Sequence, residues 1–596
     1  MNLFSRLKRL GGAASKNSVT LPVVVEVAVV DMVEEKKNVA LNDGADEQML
    51  GTGGPDDKLA EHRDEVKFIK GGDHQNGDAK IDIGNVNGGK PTFTGMSKEE
   101  LMKYANDPFW VRLRWIFFVG FWSIWVGMLV GAILIIVGAP KCSAPQPLAW
   151  YKQGPHAKFA DLNNAKTEDL QLAKKIHATG AIYELPAALT YDVKNPEVEE
   201  KIKEVVANYK SSDIKVILDL TPNVVTKNSK LFKEAQADKN KRSAFVWKSD
   251  LTSAPTNWLK VKGSTSAWDQ VDGSYVLSQF DGFYDLKMNS SLVREEFGGV
   301  LKHLVELGVQ GIRLNNTKYF VLYENLEDEN IPSSNNLNAV FGEYDFVLHD
   351  KTTFHTGLGD VLYDYLSVVK NVSADAFLTV SRDVEQPEKY QLSQSGGALG
   401  IDVPLYGGFV EALSKNSPQS LRETLNTTLS QAGNGTWLQW DFGKVYLSSN
   451  QDHSSMAYVL SLLPGVPVVP VDSDEYLNVT EVTYNHIEHL RKSASYMHGE
   501  FKLYKKDPLL VYSRIKSGNP GYFVIFNPSD QIQSALIEDS KDLPEKMTVS
   551  ILSENYNSID INNNSSLVVH PVGSKVTLKD VTVAPHSTII LTYVPV

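Results

Sequence analysis

The sequence predicts an α/β chain in three parts: one membrane-spanning helix, a (β/α)₈ barrel of the TIM type, and a closing antiparallel β domain. Three observations predict it. An uninterrupted apolar run is centred near residue 126, strand and helix patterns alternate over roughly 300 residues after it, and helical patterning stops at about Glu500. With 596 residues, 42% apolar and 10% aromatic, the chain can bury at least one large core, and its length suggests roughly three or four structural units. The net charge of -13, without any dense stripe of Lys and Arg, argues against nucleic-acid binding. A single cysteine rules out an intramolecular disulfide and any Cys-based metal cluster, and the 13 His show no HExxH-type spacing, so no metal or cofactor is expected.

Residues 1–95 are rich in Gly, Asn, Asp, Lys and Glu, as in LNDGADEQMLGTGGPDDKLAEHRDE, with few aromatics and no sustained periodicity. Such a composition does not bury enough apolar surface to offset chain entropy, and a disordered cytoplasmic tail is expected. TGMSKEELMKYANDP then predicts a short juxtamembrane helix within 96–114, with Ser97 as N-cap and Glu100 completing a capping box.

Trp115 to Val137, WIFFVGFWSIWVGMLVGAILIIV, carries no charge. As a helix it is roughly 34 Å long against a hydrocarbon core of about 30 Å, longer than an ordinary buried core helix. It begins only after 114 mostly polar residues, which excludes a cleaved signal peptide. Lys98, Lys103, Arg112 and Arg114 lie before the span and only Lys141 and Lys152 close after it, which places the N-terminus in the cytoplasm. The sequons agree: Asn289, Asn315, Asn371, Asn426, Asn434, Asn478, Asn563 and Asn564 all follow the span, so a type II glycoprotein with an extracellular C-terminal part is expected.

Beyond a neck at 138–149, the runs GAIYELP, IKVILDL, VQGIRL, DAFLTV and VPVVPV read as strands. NPEVEEKIKEVVANYK, LVREEFGGVLKHLVELG, GLGDVLYDYLSVVK and MAYVLSLLPG between them read as helices. Repeated β–α alternation gives a parallel sheet covered by helices, and at this length a closed barrel over 150–499 is favoured. LLVYSR, GYFVIFN, SLVVHP and STIILTYV in 500–596 read as short strands of an all-β sandwich.

Several of these segments resemble the α-amylase superfamily, in particular its α-glucosidase branch. VILDLTPN resembles its third barrel strand, GVQGIRLNN the fourth, and LSLLPGVPVVPVDSDE the seventh helix and eighth strand. FVWKSDLTSAPTNWLKVKGSTSAWDQVDGSYVLSQF resembles the domain that this family inserts after strand three, which puts an insertion at about 223–286. The resemblance implies a glycosidase site at the strand ends. Retaining hydrolysis needs two carboxyl groups, one as nucleophile and one as acid. At the position of the family's nucleophilic Asp, two residues after Arg313, stands Asn315; at the place of the acid Glu stands Val380, with Asp383 and Glu385 just downstream. Asp441 matches the third family carboxylate, preceded by Trp440 where His is usual. An uncharged amide is a poor nucleophile, so a non-catalytic barrel is expected in which Asp219, Asn223 and Arg313 serve structure and Asn315 is too enclosed for glycosylation.

FTGMSKEELMKYANDPFWVRLRWIFFVGFWSIWVGMLVGAILIIVGAPKC resembles the 4F2 cell-surface antigen type of heavy chain, the glycoprotein subunit of heteromeric amino-acid transporters. On the residues alone, Gly120, Gly127, Gly131 and Gly138 fall on one helix face that admits a second helix. Cys142, five residues past Val137, is on that basis either a free thiol or half of an intermolecular bridge. The resemblance implies the bridge: a multipass transporter light chain held through Cys142 and the membrane helix, in the plasma membrane, with this chain needed for its folding, surface delivery and stability. Other cell-surface or cytoskeletal partners are left unspecified. Two further readings stay open, a membrane-anchored α-glucosidase and a receptor or adhesion glycoprotein acting without a transporter.

Overall fold

The computed structural model describes residues 98–138, 147–332, 339–382, 384–394, 397–414, 420–433, 436–443, 452–471, 479–537, 543–558 and 567–595. The expected tail, Ser97, Cys142, Asp383, Asn434, Asn478, Asn563 and Asn564 lie outside the described residues. The chain divides into two compact units, one ending at Gly138 and one beginning at Ala139.

The first unit holds α1 (Lys98–Ala105) and α2 (Pro108–Gly138). Asp107 accepts a hydrogen bond from Phe109 N at 3.0 Å, and Pro108 in the first turn needs no partner for a missing N–H, so the start of α2 is locally encoded. α2 runs 31 residues, seven more than the apolar run at its N-terminal side, and is long and apolar enough to cross a membrane by length and composition. Its aromatic side chains form edge contacts along the helix, Trp115 with Phe118, Phe118 with Trp122, and Trp122 with Trp125.

In the second unit, α3 (Trp150–Gln153) precedes a seven-stranded parallel sheet. Its strands are β1 (His156–Asp161), β2 (Gly180–Glu184), β3 (Lys215–Leu220), β9 (Gly311–Leu314), β10 (Phe377–Val380), β11 (Leu438–Asp441) and β12 (Gly465–Pro470), with β1 paired to both β2 and β12. The gap between β10 and β11 is closed by residues 402–405: Asp402 N donates to Leu378 O at 2.9 Å, and Gln439 N donates to Pro404 O at 2.8 Å beside a parallel bridge from Leu405 to Gln439. Eight parallel segments therefore close a (β/α)₈-type barrel.

Period-2 alternation fills it from both sides. Outward residues such as Val216, Leu218, Leu220, Ile312 and Leu378 join the large core under the helices, while Ile182, Ile217, Phe377, Val403, Val466 and Val468 form a separate interior core. Tyr151 closes the N-terminal end, stacked on Phe377 with ring centroids 4.8 Å apart. The covering helices start where the sequence supplies caps. Asn195 caps α5 (Pro196–Tyr209), accepting from Glu197 N, and Ser290 caps α7 (Ser291–Glu306), accepting from Val293 N. α7 returns to β9 through Gly308, whose φ of +104° and close neighbour Val206 leave no room for a side chain.

Between β3 and α7 the chain builds the short strands β4 (Val224–Thr226), β5 (Trp247–Ser249), β6 (Trp268–Val271), β7 (Ser274–Leu277) and β8 (Phe283–Asp285), with α6 (Lys230–Ala237). Trp258 and Trp268 stack at 5.8 Å in a small core with Val246, Leu277 and Leu322. Trp258 Nε1 also donates to Glu327 O at 2.9 Å, which joins this segment to the loop after β9.

The C-terminal strands are β13 (Glu500–Tyr504), β14 (Leu510–Ile515), β15 (Gly521–Phe526), β17 (Met547–Leu552), β18 (Lys575–Val576) and β20 (Thr588–Tyr593) in one antiparallel sheet, and β16 (Gln533–Ser534) with β19 (Thr582–Val583) in a second. Val511, Phe523, Ile525, Ile589 and Leu591 face the second sheet; Leu510, Tyr512, Tyr522, Val524, Phe526 and Ile590 face the barrel core. Both faces of the larger sheet are thus buried.

Candidate functional site

The polar residues singled out in the sequence gather where the barrel strands end. On β3 the alternation that sends Leu218 and Leu220 outward turns Asp219 inward, and on β9 it turns Arg313 inward between Ile312 and Leu314. The two are register partners, so their side chains meet: Arg313 Nε lies 3.4 Å from Asp219 Oδ1, with both side chains buried. Glu184 on β2 and Thr379 on β10 continue the same register row. Burial pushes the Asp219 carboxyl up; the charges of Arg313, Lys158 and Arg382 work against this, that of Asp441 with it, and the net direction is upward. Arg313 Nη1 and Nη2 have no hydrogen-bond partner among the described residues.

Asn315 follows β9 and joins three strands. Its backbone N donates to Leu220 O at 2.8 Å, its Nδ2 donates to Thr221 Oγ1 at 3.1 Å, and its Oδ1 accepts from the Ser381 hydroxyl. An amide can donate and accept at once, which a carboxylate in the same place does not do.

Val380 stands at the place that the resemblance gives to the acid. Although it ends β10, it points outward into the helical layer; the inward positions are Thr379 and Ser381. A one-residue shift along a strand exchanges its faces, so the place that matches the family's acid in sequence faces outward here. Beyond it, Arg382 acts on Asp219 by its charge, and Glu385 is an exposed partner of Lys318 at 3.5 Å. Asp441 is half-buried at the end of β11 and accepts from Gly443 N at 2.9 Å, while Trp440 turns outward into the core, edge-on to Phe409. Asn223 is buried, and its carbonyl accepts from Leu286 N where the inserted segment returns.

Two interior residues escaped the sequence reading. Gln439 Nε2 donates to Thr379 Oγ1, Val380 O and Val403 O at 3.2, 3.0 and 2.8 Å, which holds the closing segment between β10 and β11. His156 starts β1 inside the barrel beside Trp150 and Phe377, and neither ring nitrogen has a partner among the described residues. Burial first, then the charges of Arg313 and Arg491, lowers its pKa to about 3, so it is neutral. Alternation along the strand marks both as inward only once the strand's pairing register is known.

The remaining expected sites are spread over the surface. Gly120, Gly127, Gly131 and Gly138 lie on α2 with open space where a Cβ would stand. Asn371, in the last turn of α8 (Leu358–Val372), and Asn426, on α10 (Leu421–Ala432), are exposed; Asn289, beside the α7 cap, is half-buried. Among the described residues no group of His, Cys, Asp and Glu is arranged to hold a metal ion.

Comparison with known families matches residues 78–157 to the solute carrier family 3 member 2 N-terminus and residues 194–392 to the alpha amylase catalytic domain. The amino acid transporter heavy chain SLC3A2 of Mus musculus is 31% identical over 272 residues, covering 42% of this chain and 48% of that protein. The amino acid transporter heavy chain SLC3A1 of Rattus norvegicus is 24% identical over 427 residues, covering 63% and 60%. The chain thus spans about half the length of the heavy chains it matches. Among solved structures, the trehalose-6-phosphate hydrolase of Bacillus licheniformis superposes with a TM-score of 0.55 at 15% identity, covering 75% of this chain and all of the other, a likeness of fold.

Proposed function

The chain is a relative of the SLC3A2- and SLC3A1-type heavy chains that carries an α-amylase-like barrel, and from that premise we propose that it is the non-catalytic heavy chain of a heteromeric amino-acid transporter. The observation that carries the proposal is the pairing, in one chain, of an SLC3A2-type N-terminal segment containing α2 with a barrel whose strand ends present an amide at Asn315. A single helix without a charge in its apolar run cannot form a solute path, so transport falls to a multipass light chain. This chain supplies folding, surface delivery and stability in the plasma membrane, with its N-terminus cytoplasmic and the barrel outside.

In this reading α2 offers the light chain the face of Gly120, Gly127, Gly131 and Gly138, and Cys142 forms the interchain disulfide. The covalent link raises the effective concentration of every other contact, so weak ones suffice to hold the subunits together. Glycans sit on the exposed Asn371 and Asn426, with Asn289, Asn434, Asn478, Asn563 and Asn564 as further acceptors. The domain limits follow the sequence reading, with the barrel over 150–499 and the β domain over 500–596.

The strand ends lack the chemistry of a glycosidase. Asp219 is committed to Arg313 inside the barrel, Asn315 has no negative charge to stabilise an oxocarbenium ion, and Val380 faces away. Asp441 alone does not make the pair of carboxyl groups that retaining hydrolysis needs. Affinity purification under nonreducing conditions with mass spectrometry tests the proposal. It expects a disulfide-linked complex with a multipass transporter that falls to two chains on reduction and is lost in Cys142→Ser. A monomer indifferent to that substitution would refute the covalent partnership, and turnover of maltose by the purified barrel, abolished by Asp441→Asn, would refute the non-catalytic reading.

A further inference from the structure

α1 precedes the apolar helix as a separate short helix. At 100° per residue Leu101, Met102, Tyr104 and Ala105 of KEELMKYA fall on one side, with Lys98 at the first position on the same side, and Glu99, Glu100 and Lys103 fall on the other. Among the described residues of its unit nothing buries the apolar side: Leu101, Met102 and Tyr104 are 58%, 59% and 52% exposed. An exposed apolar side on so short a helix requires a surface to lie on.

Its distance from the span limits which surface that is. Arg114, the last charge before the apolar run, donates through Nη2 to Ala105 O at 2.5 Å. In one continuous helix those residues would stand about 13.5 Å apart along the axis, beyond the reach of an arginine side chain, so the chain turns at Asn106 and Asp107. The turn and the Arg114 hydrogen bond keep the end of α1 within an arginine's length of the point where the apolar run begins. Counted from the hydrocarbon boundary at Trp115, that is the headgroup layer, about 5–8 Å deep on each side of a bilayer. The composition around it suits that layer: Tyr104, Phe109, Trp110 and Trp115 are interfacial aromatics, and Lys98, Lys103, Arg112 and Arg114 are cations for acidic headgroups.

We propose that α1 lies in the headgroup layer of the leaflet where α2 enters, with Leu101, Met102 and Tyr104 toward the acyl chains and Lys98 and Lys103 among anionic lipid phosphates. The inference rests on α2 spanning the membrane, as proposed above. α1 then fixes the depth and tilt at which α2 enters, because the Arg114 hydrogen bond couples the two helices.

The single native cysteine makes the test direct. In full-length Cys142→Ser protein reconstituted into nanodiscs of phosphatidylcholine with phosphatidylserine, single spin labels are placed by Leu101→Cys, Lys103→Cys and Gly127→Cys. Accessibility to oxygen and to a water-soluble nickel chelate is then read by power saturation. The proposal expects the oxygen-to-nickel ratio at 101 to exceed that at 103 several-fold, and replacing phosphatidylserine with phosphatidylcholine to reduce the difference. Equal, water-like ratios at 101 and 103 would overturn it, as would a label at 101 that becomes lipid-accessible only without a co-reconstituted transporter subunit. The label at 127 separates the two ideas: if it is lipid-embedded while 101 is water-exposed, the span stands and the surface role of α1 falls.

Discussion

Asn315 is linked through its side-chain amide to Thr221 and Ser381, and through its backbone to Leu220. Asn315→Asp puts a carboxylate at the family's nucleophile position, yet it supplies no acid partner, so no turnover of a chromogenic α-glucoside is expected. A measurable rate would show that a second carboxyl group is in reach. The Asp219–Arg313 pair is the more demanding arrangement. Removing one partner of a buried pair strands the other charge, so Arg313→Met is expected to cost about 3–5 kcal/mol, read as a lower urea midpoint for the purified barrel.

At the scale of elements, the segment between β3 and α7 depends on Trp258. It is buried, stacked on Trp268, and hydrogen-bonded to the loop after β9. Trp258→Ala is expected to cost about 3–5 kcal/mol locally and to open the 327–332 segment to protease while the barrel remains folded. Limited proteolysis with mass spectrometry checks this; simultaneous loss of the whole barrel would mean the two parts melt together. Strands β2, β3, β9, β10, β12, β14, β15 and β20 were legible because each alternates or runs fully apolar, and the helices because their caps and apolar periods agree; β1 and β11 were not, and SLVVHP, read as a strand, forms none over its described residues 567–571. The face of each strand-end residue was not legible. Val380 and Trp440 both turn away from the interior that their neighbours Thr379 and Gln439 line, and a count in sequence cannot set that parity without knowing where pairing begins.

For the whole molecule, one cysteine means that no internal disulfide supports the barrel or the β domain, so reductant should leave their thermal midpoint unchanged, while in the proposed complex it should separate the two chains. Two buried groups set opposing pH dependences. His156 has its pKa lowered to about 3, so the unfolded chain binds the proton more readily and stability falls as pH drops from about 6.5 toward 3. Asp285 has its pKa raised to about 7 by burial, against hydrogen bonds from Gln279, so its contribution is present at acid pH and is lost as pH rises toward 7. Each slope is of order 1.4 kcal/mol per pH unit where it acts alone. His156→Leu is therefore expected to resist acid better than the parent, and Asp285→Asn to be more stable at pH 7 with a steeper acid loss, both read from urea midpoints across pH. The sequence by itself determined the apolar helix, the order of strands and helices, the lone thiol and the absence of an Asp at 315, since each depends on residue type or on a local period. Tertiary structure alone decided barrel closure through 402–405, the pairing of Asp219 with Arg313 and the outward turn of Val380. Those depend on register between strands far apart in the chain, which no local pattern encodes.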